Sequence, residues 1–477
     1  MGGVSSSRAQ GTPLRRILAV AVAAPMASAT MTPAGTMRSL GDEVDMSAEE
    51  KTIAEPRHHH ANVDVAPDTE ELKKDAAWDE DFPDGGLQAW LVVLGGVCVT
   101  FGTFGFVNTW GVFQAYYQET VLSDVAPSTI AWIGSIQYAL VFLPGLLTGR
   151  LFDLGHYRVP QISATVLLIV ATFLTAECKV YWQFLLCQGI AIGLSCGFLF
   201  GPTIAVISHW FRARRGLAFG ILASGSSIGG TVLPIAVRKL IPIIGFKWAM
   251  RITGFILLGV LTTAVLTLRR RLPPKNVSGG LLNLKAFRYL PYSLYVGASL
   301  VSFLGLYTVL TYLEVYGTEI GISPDFAFYL IPIANAASLI GRVGSGILTD
   351  RFGPLNTLIP STLVAGVVTY AWPFARSLGS LIVVTCIYGI ACGVFVGMLP
   401  APVARMGEME DVGRRSGMLM TVVAAGAVAG PPISGAIRDT TGSFVHVGYY
   451  AGSMIVLCVL MMIGVKWLST GKLTGKF

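Results

Sequence analysis

Twelve stretches of roughly twenty apolar residues, spread over most of the chain, constrain this sequence more than any other feature. They fall at about 88–112, 130–148, 159–177, 181–207, 216–237, 246–268, 291–316, 326–348, 355–375, 379–402, 416–437 and 443–468. An α-helix rises 1.5 Å per residue, so about twenty residues cross ~30 Å of hydrocarbon. The 477 residues are 53% hydrophobic and only 13% charged, where a soluble chain runs near a quarter charged. The expected fold is all-α and membrane-embedded, with twelve transmembrane helices. Gly and Pro interrupt several runs, which membrane helices tolerate where neighbours satisfy the freed backbone.

Charge is distributed unevenly. Asp42 to Asp84 holds 15 of the 27 acids against four Lys or Arg, and from Gly85 onward 12 acids face 26 bases. Loops after the even-numbered runs, with the carboxyl terminus, carry 18 Lys or Arg; loops after the odd-numbered runs, with the start of the sixth run, carry seven. Basic loops stay in the cytoplasm, so both termini are expected there, in a multi-pass protein of the plasma membrane. Four bases (Arg238, Lys239, Lys247, Arg251) run against that count. The basicity has this topological explanation, and nucleic acid is not an expected partner; membrane lipid is. Cysteines 98, 178, 187, 196, 386, 392 and 458 form no C-x-x-C pair, which gives neither a disulfide framework nor a zinc site. His58-His59-His60 have no second ligand cluster near them in the sequence. No metal and no cofactor are expected.

Residues 1–41 contain no acid and four Arg with much Ala, Ser and Thr, and the stretch from Arg15-Arg16 to Ala29 resembles a short signal or transit segment, or sequence upstream of a later start at Met37 or Met46. Residues 42 to 84 have the composition of disorder. The expected organisation is a cytoplasmic tail over 1–84, a first six-helix bundle over 85–268, a linker over 269–290, a second bundle over 291–468 and a tail over 469–477.

The chain also repeats itself. Gly189-Ile190-Ala191, Gly193, Gly197 and Pro202 recur as Gly389-Ile390-Ala391, Gly393, Gly397 and Pro402, an offset of 200 that continues through Arg214-Arg215 and Arg414-Arg415, Gly230 and Gly430. A second pair, Gly149-x-x-x-Asp153 and Gly346-x-x-x-Asp350, recurs at 197. Two six-helix halves in parallel repeat are a transporter architecture, with a solute site at mid-membrane between them. No nucleophile–base pair, metal-ligand spacing or phosphate loop points to an enzyme.

These features resemble the major facilitator superfamily over about residues 84–470. Gly346-Ile347-Leu348-Thr349-Asp350-Arg351-Phe352-Gly353 is similar to that superfamily's loop motif, and the copy from Gly149 lacks one spacer residue. Asp84-Gly85-Gly86 with Trp90, and Trp210-Phe211-x-x-Arg214-Arg215-x-Leu217-Ala218, resemble the signatures of the monocarboxylate porters. The resemblance implies an essential Arg at Arg342. Ser338 stands where carboxylate-moving members carry an Asp, and Asn108 where they carry a Lys, so the chain looks more like the fungal branch. Its expected activity is secondary or facilitative transport of a small organic acid or related metabolite by alternating access, with two alternatives: efflux of a secondary metabolite, and a non-transporting sensor or adaptor.

An Arg at bilayer depth costs roughly 2.5–3.5 kcal/mol on insertion scales and faces a cavity or partner. Arg342 either snorkels toward the loop motif or attracts an anionic solute through its fixed donor fork. Glu314 is either a proton-coupling group or an exposed acid at the mouth. Asn108, Gln137, Gln188 and Asn335 offer hydrogen bonds to a solute or to neighbouring helices, and Tyr307 a ring for stacking or packing. Asp153, Asp350, Arg351, Arg214 and Arg215 are expected to form gating contacts that break and reform as the halves rock. Gly189, Gly193, Gly197, Gly230, Gly426 and Gly430 are expected to allow close helix packing, with a break at Pro431-Pro432.

Overall fold

The computed structural model describes residues 82–272, 280–407, 411–472 and 475. Residues 1–81 with His58-His59-His60, the middle of the 269–290 linker and part of the 469–477 tail lie outside the described residues. Among the described residues, eleven helices are long and apolar enough to cross a membrane. The first four are α1 (Gly86–Val121), α2 (Pro127–Asp153), α3 (Arg158–Thr175) and α4 (Tyr181–Ser208). The next, Arg215–Thr267, has 53 residues, ~80 Å of helix against ~30 Å of hydrocarbon. It is broken at Gly245, whose φ of 78° and ψ of 161° leave helical space. A positive φ costs glycine nothing and costs other residues a Cβ clash. The two arms are α5, before Gly245, and α6, after it. Then follow α7 (Leu290–Glu319), α8 (Pro324–Phe352), α9 (Pro354–Phe374), α10 (Leu378–Arg405), α11 (Val412–Thr441) and α12 (Phe444–Thr470). Counting the two arms separately gives twelve apolar spans among the described residues.

Proline sets several starts. Pro127, Pro324 and Pro354 each sit in the first turn of a helix, where the missing N–H has no intrahelical partner to lose. The starts also give the true repeat. α2 and α8 begin 197 residues apart, as do α4 and α10, and α5 and α11. The offset of 200 expected for spans 4 and 10 is therefore one helical turn out of register. Packing agrees to within one residue: a Cβ on Gly193 would meet Gln137, and one on Gly389 would meet Ala334, so Gly193 faces the equivalent neighbour of Gly389 rather than of Gly393. Glycines four apart match themselves after a one-turn slip, which misled the comparison of sequence with itself. By the same register Arg214-Arg215 and Arg414-Arg415 do not occupy equivalent places.

The expected break at Pro431-Pro432 is also corrected. α11 runs through both prolines, and the Tyr312 hydroxyl donates to the Pro431 carbonyl at 2.9 Å. Apolar side chains such as Ile162, Val166, Val170 and Leu174 on α3 are exposed, a face suited to hydrocarbon. The halves meet along α2 against α11 and α5 against α8.

Candidate functional site

Where the halves meet, three regions follow one another along the axis. At the end where α1 finishes and α2 begins lies a vestibule of about 330 Å³, walled by Asn108, Tyr116, Glu119, Arg238, Glu314 and Phe328. Deeper lies a chamber of about 30 Å³, walled by Phe104, Asn108, Tyr138, Tyr307, Asn335 and Arg342, with Ser226 and Cys392. That is room for about one or two waters. Asn108 belongs to both walls. Beyond the chamber, the opposite, Arg-rich end is closed by helix contacts.

Local structure places the chamber residues. α1 widens into a π-helical turn at Phe101–Gly105, a device common at functional sites. There it lies so close to α5 that a Cβ on Gly105 would stand 2.6 Å from the Gly229 Cα. Gly230 faces the chamber: a Cβ there would meet the Asn108 amide at 2.7 Å and Asn335 at 3.1 Å. Asn335 donates to the Gly230 carbonyl at 3.3 Å, and Ser338 shares a hydrogen bond with Ser227 at 2.7 Å. Tyr138 and Tyr307 meet edge to face at 5.3 Å, and Phe303 lies 5.4 Å from Tyr307.

Arg342 is buried in this chamber and does not snorkel. Its Nη1 donates across the interface to the Ala223 carbonyl at 2.6 Å and to the Ser226 hydroxyl. Its Nε is buried without a hydrogen-bond partner among the described residues, and no described carboxylate pairs with it. Among the described residues, neutral dipoles alone hold this buried cation.

The six residues expected to bind solute separate into two groups. Arg342, Asn108, Asn335 and Tyr307 share the chamber. Gln188 is instead buried against α1, where the Tyr117 hydroxyl donates to it, and Gln137 packs beneath Gly193 with both amide atoms buried. Neither lines the chamber. Tyr138, Ser226 and Cys392 are not among the expected site residues; a Tyr facing outward or inward on α2 gives the same helical spacing. Glu314 is half-buried in the vestibule wall beside Arg238. Arg238 pairs with Asp325 at 3.0 Å and lies 4.1 Å over Phe328. Lys247 and Arg251 both pair with Glu177, at 2.8 and 2.7 Å. So three of the four bases that ran against the charge count are matched by acids at their own end.

At the Arg-rich end two carboxylates reach across the halves. Asp350, at the foot of α8, accepts from the Gly216 and Leu217 amides opening α5, at 2.6 and 2.9 Å. Asp153, at the foot of α2, accepts from the Arg414 amide opening α11 at 2.9 Å. Each sets a carboxyl oxygen against the amide-bearing, positive end of a helix. Glycine allows the approach: a Cβ on Gly149 would stand 2.2 Å from the Gly413 carbonyl, one on Gly220 2.4 Å from the Arg342 carbonyl. Arg215 donates to the Phe211 carbonyl at 2.9 Å and points across to Ala404. Arg214 and Arg351 are exposed, and Arg351 lies 5.4 Å over its neighbour Phe352. His209 is buried 5.1 Å from Phe152. Burial, then the charges of Arg270, Arg215 and Arg271, push its pKa down to about 3, so it stays neutral at physiological pH.

The remaining glycines sit on neighbouring helices. A Cβ would meet the Ile133 carbonyl from Gly189 at 3.3 Å, the Leu140 carbonyl from Gly197 at 2.4 Å, the Leu300 carbonyl from Gly426 at 2.5 Å and the Leu304 carbonyl from Gly430 at 2.6 Å.

The model of the Major Facilitator Superfamily matches residues 92–376 and 336–475. The chain belongs to that superfamily. It is 39% identical to the aspyridones efflux protein apdF of Emericella nidulans over 392 residues, 82% of this chain and 80% of that one. It is 35% identical to the fujikurins efflux protein of Gibberella fujikuroi, over 87% of this chain and 90% of that one. Among solved structures, the human organic anion transporter MFSD10 superposes with a TM-score of 0.64 at 16% identity, over 79% of this chain and 100% of that one. The Escherichia coli fucose:proton symporter FucP gives 0.62 at 15%, over 78% and 98%. These two likenesses show the fold. As a major facilitator protein the chain is a membrane transporter of a small organic solute, working by alternating access, and not an enzyme.

Proposed function

We propose that this transporter exports an amphipathic, weakly acidic fungal metabolite across the plasma membrane. The observation that carries the reading is Arg342: a buried guanidinium in the chamber between the halves, held by a carbonyl and a hydroxyl and by no described carboxylate. Once the halves part and widen the chamber, an acidic head would dock there, and Tyr138, Tyr307 and Phe104 would flank an unsaturated ring. The wider vestibule, walled partly by Pro234, Ile241, Pro332 and Phe328, would take an apolar tail. Relatives named as efflux proteins for aspyridones and fujikurins support export.

In this reading the Arg-rich end is cytoplasmic, with both termini, and the vestibule faces outward. The bundles 85–268 and 291–468 rock about the chamber. Glu314 is the group that takes up a proton from the outside, and Asp153 and Asp350 are the gate. The contact between the two porter-like motifs, with Trp90 and Phe211 rings 5.3 Å apart, supports placing the chain beside the fungal branch of the monocarboxylate porters.

Metabolite profiling of cells and medium, with the gene deleted and restored, tests the proposal. Deletion should move at least one acidic metabolite from medium into cells, and an Arg342→Gln copy should fail to reverse this. An unchanged distribution of acidic metabolites would refute it.

A further inference from the structure

We infer that Asp84 is a positioning residue for the gate at the Arg-rich end, acting through the loop that opens α5. The inference rests on the alternating-access reading above. One oxygen of Asp84 accepts three successive backbone N–H groups, from Arg212 at 2.7 Å, Ala213 at 2.8 Å and Arg214 at 3.1 Å. The Asp84 amide returns a bond to the Trp210 carbonyl at 3.3 Å. The carboxylate thus fills a concavity of backbone donors, an arrangement that favours an anion. The geometry requires an unusual backbone. Asp84 has a φ of 44° and Gly86 a φ of 80°, a left-handed turn that Asp and Gly accept and most residues do not.

The next amides along the chain, Gly216 and Leu217, are those held by Asp350 from the other half. Five donors within six residues are therefore divided between two carboxylates. Asp84 lies in the same half as the loop, so its bonds persist as the halves separate. The bonds from Asp350 must break. Arg214, at the junction, supplies no side-chain cap to α5. With Asp84 in place, the Gly216 and Leu217 amides are aimed before Asp350 arrives, and the closed gate does not pay for ordering the loop. Without it, the loop can reorient and the gate should open more often.

Thr349 reports gate opening: it is buried, and a Cβ on Gly216 would stand 2.9 Å from its own Cβ. A Thr349→Cys reporter in inside-out vesicles, corrected for the parent chain's seven cysteines, is labelled by a membrane-impermeant thiol reagent. Asp350→Ala and Asp84→Ala should each speed labelling at least five-fold, and the double variant should be no faster than Asp350→Ala alone. Asp84→Asn, which keeps an acceptor oxygen without the charge, should fall between parent and Asp84→Ala. Should Asp84→Ala fail to reach the membrane, Asp84→Asn carries the same cycle. Unchanged labelling in Asp84→Ala while Asp350→Ala accelerates it, or accelerations that multiply in the double variant, would overturn the positioning role alone. No acceleration in Asp350→Ala would instead sink the gate, and this inference with it.

Discussion

Gly149→Ala should tip the transporter away from the state described here, because α2 and α11 touch through bare backbone. The added methyl would stand 2.2 Å from the Gly413 carbonyl oxygen and 2.8 Å from its carbon. Carbon–oxygen contacts settle at about 3.3–3.6 Å, so the helices must part by roughly 1 Å. One turn away the same pair is equally tight, with a Cβ on Gly417 only 2.1 Å from the Gly145 carbonyl, so neither backbone can yield alone. Overpacking of this kind costs about 1–3 kcal/mol. The contact exists only while the Arg-rich end is closed, and that energy is about a 5–150-fold shift toward the open alternative. Spin labels at His156→Cys and Arg351→Cys, both exposed and in opposite halves at that end, should show a longer-distance population growing in detergent or nanodiscs. Gly259→Ala is the control, since nothing lies within 4 Å of a Cβ there. Unchanged distances in folded Gly149→Ala, or an equal shift in Gly259→Ala, would refute the reasoning.

Other outcomes follow from the same geometry. Arg342→Gln removes a charge-assisted donor worth about 1.5–3 kcal/mol; KM for an acidic solute should rise about 10–150-fold in vesicle flux, while a neutral analogue is spared. Glu314→Gln should abolish proton uptake accompanying transport, read with a pH dye, while leaving exchange of solute for solute intact. His209 has its folded pKa near 3 against about 6.5 unfolded, so unfolding takes up a proton between these values. Its contribution is full above about pH 6.5 and is lost as pH falls, by about 1.4 kcal/mol per unit. His209→Gln should flatten the melting temperature between pH 4.5 and 6.5; an unaltered slope would assign the dependence elsewhere.

What sequence alone determined was set by solvent. A run such as 291–316 must be a spanning helix because hydrocarbon satisfies no backbone polar group, and α7 occupies Leu290–Glu319. The same holds for the break between spans 5 and 6, visible as the polar stretch around Arg238 and Lys239, although only the backbone reveals one bent rod hinged at Gly245. The motif glycines and aspartates were legible as belonging together because the chain repeats them. Tertiary structure decided what periodicity leaves degenerate. A helix says which residues share a face but not which neighbour that face meets. That is why Gln188 and Asn108, alike in sequence, end in a packing contact and in the chamber. Glycine every fourth residue likewise fixes a surface without fixing register, so for spans 4 and 10 the register near 197, already legible in the Gly149 and Gly346 motifs, emerged only from helix starts and contacts. Arg342 could have snorkelled by its depth alone; the Ala223 carbonyl and Ser226 hydroxyl on the opposite half keep it inside. Such partners lie more than a hundred positions away in the chain, and only folding brings them within reach.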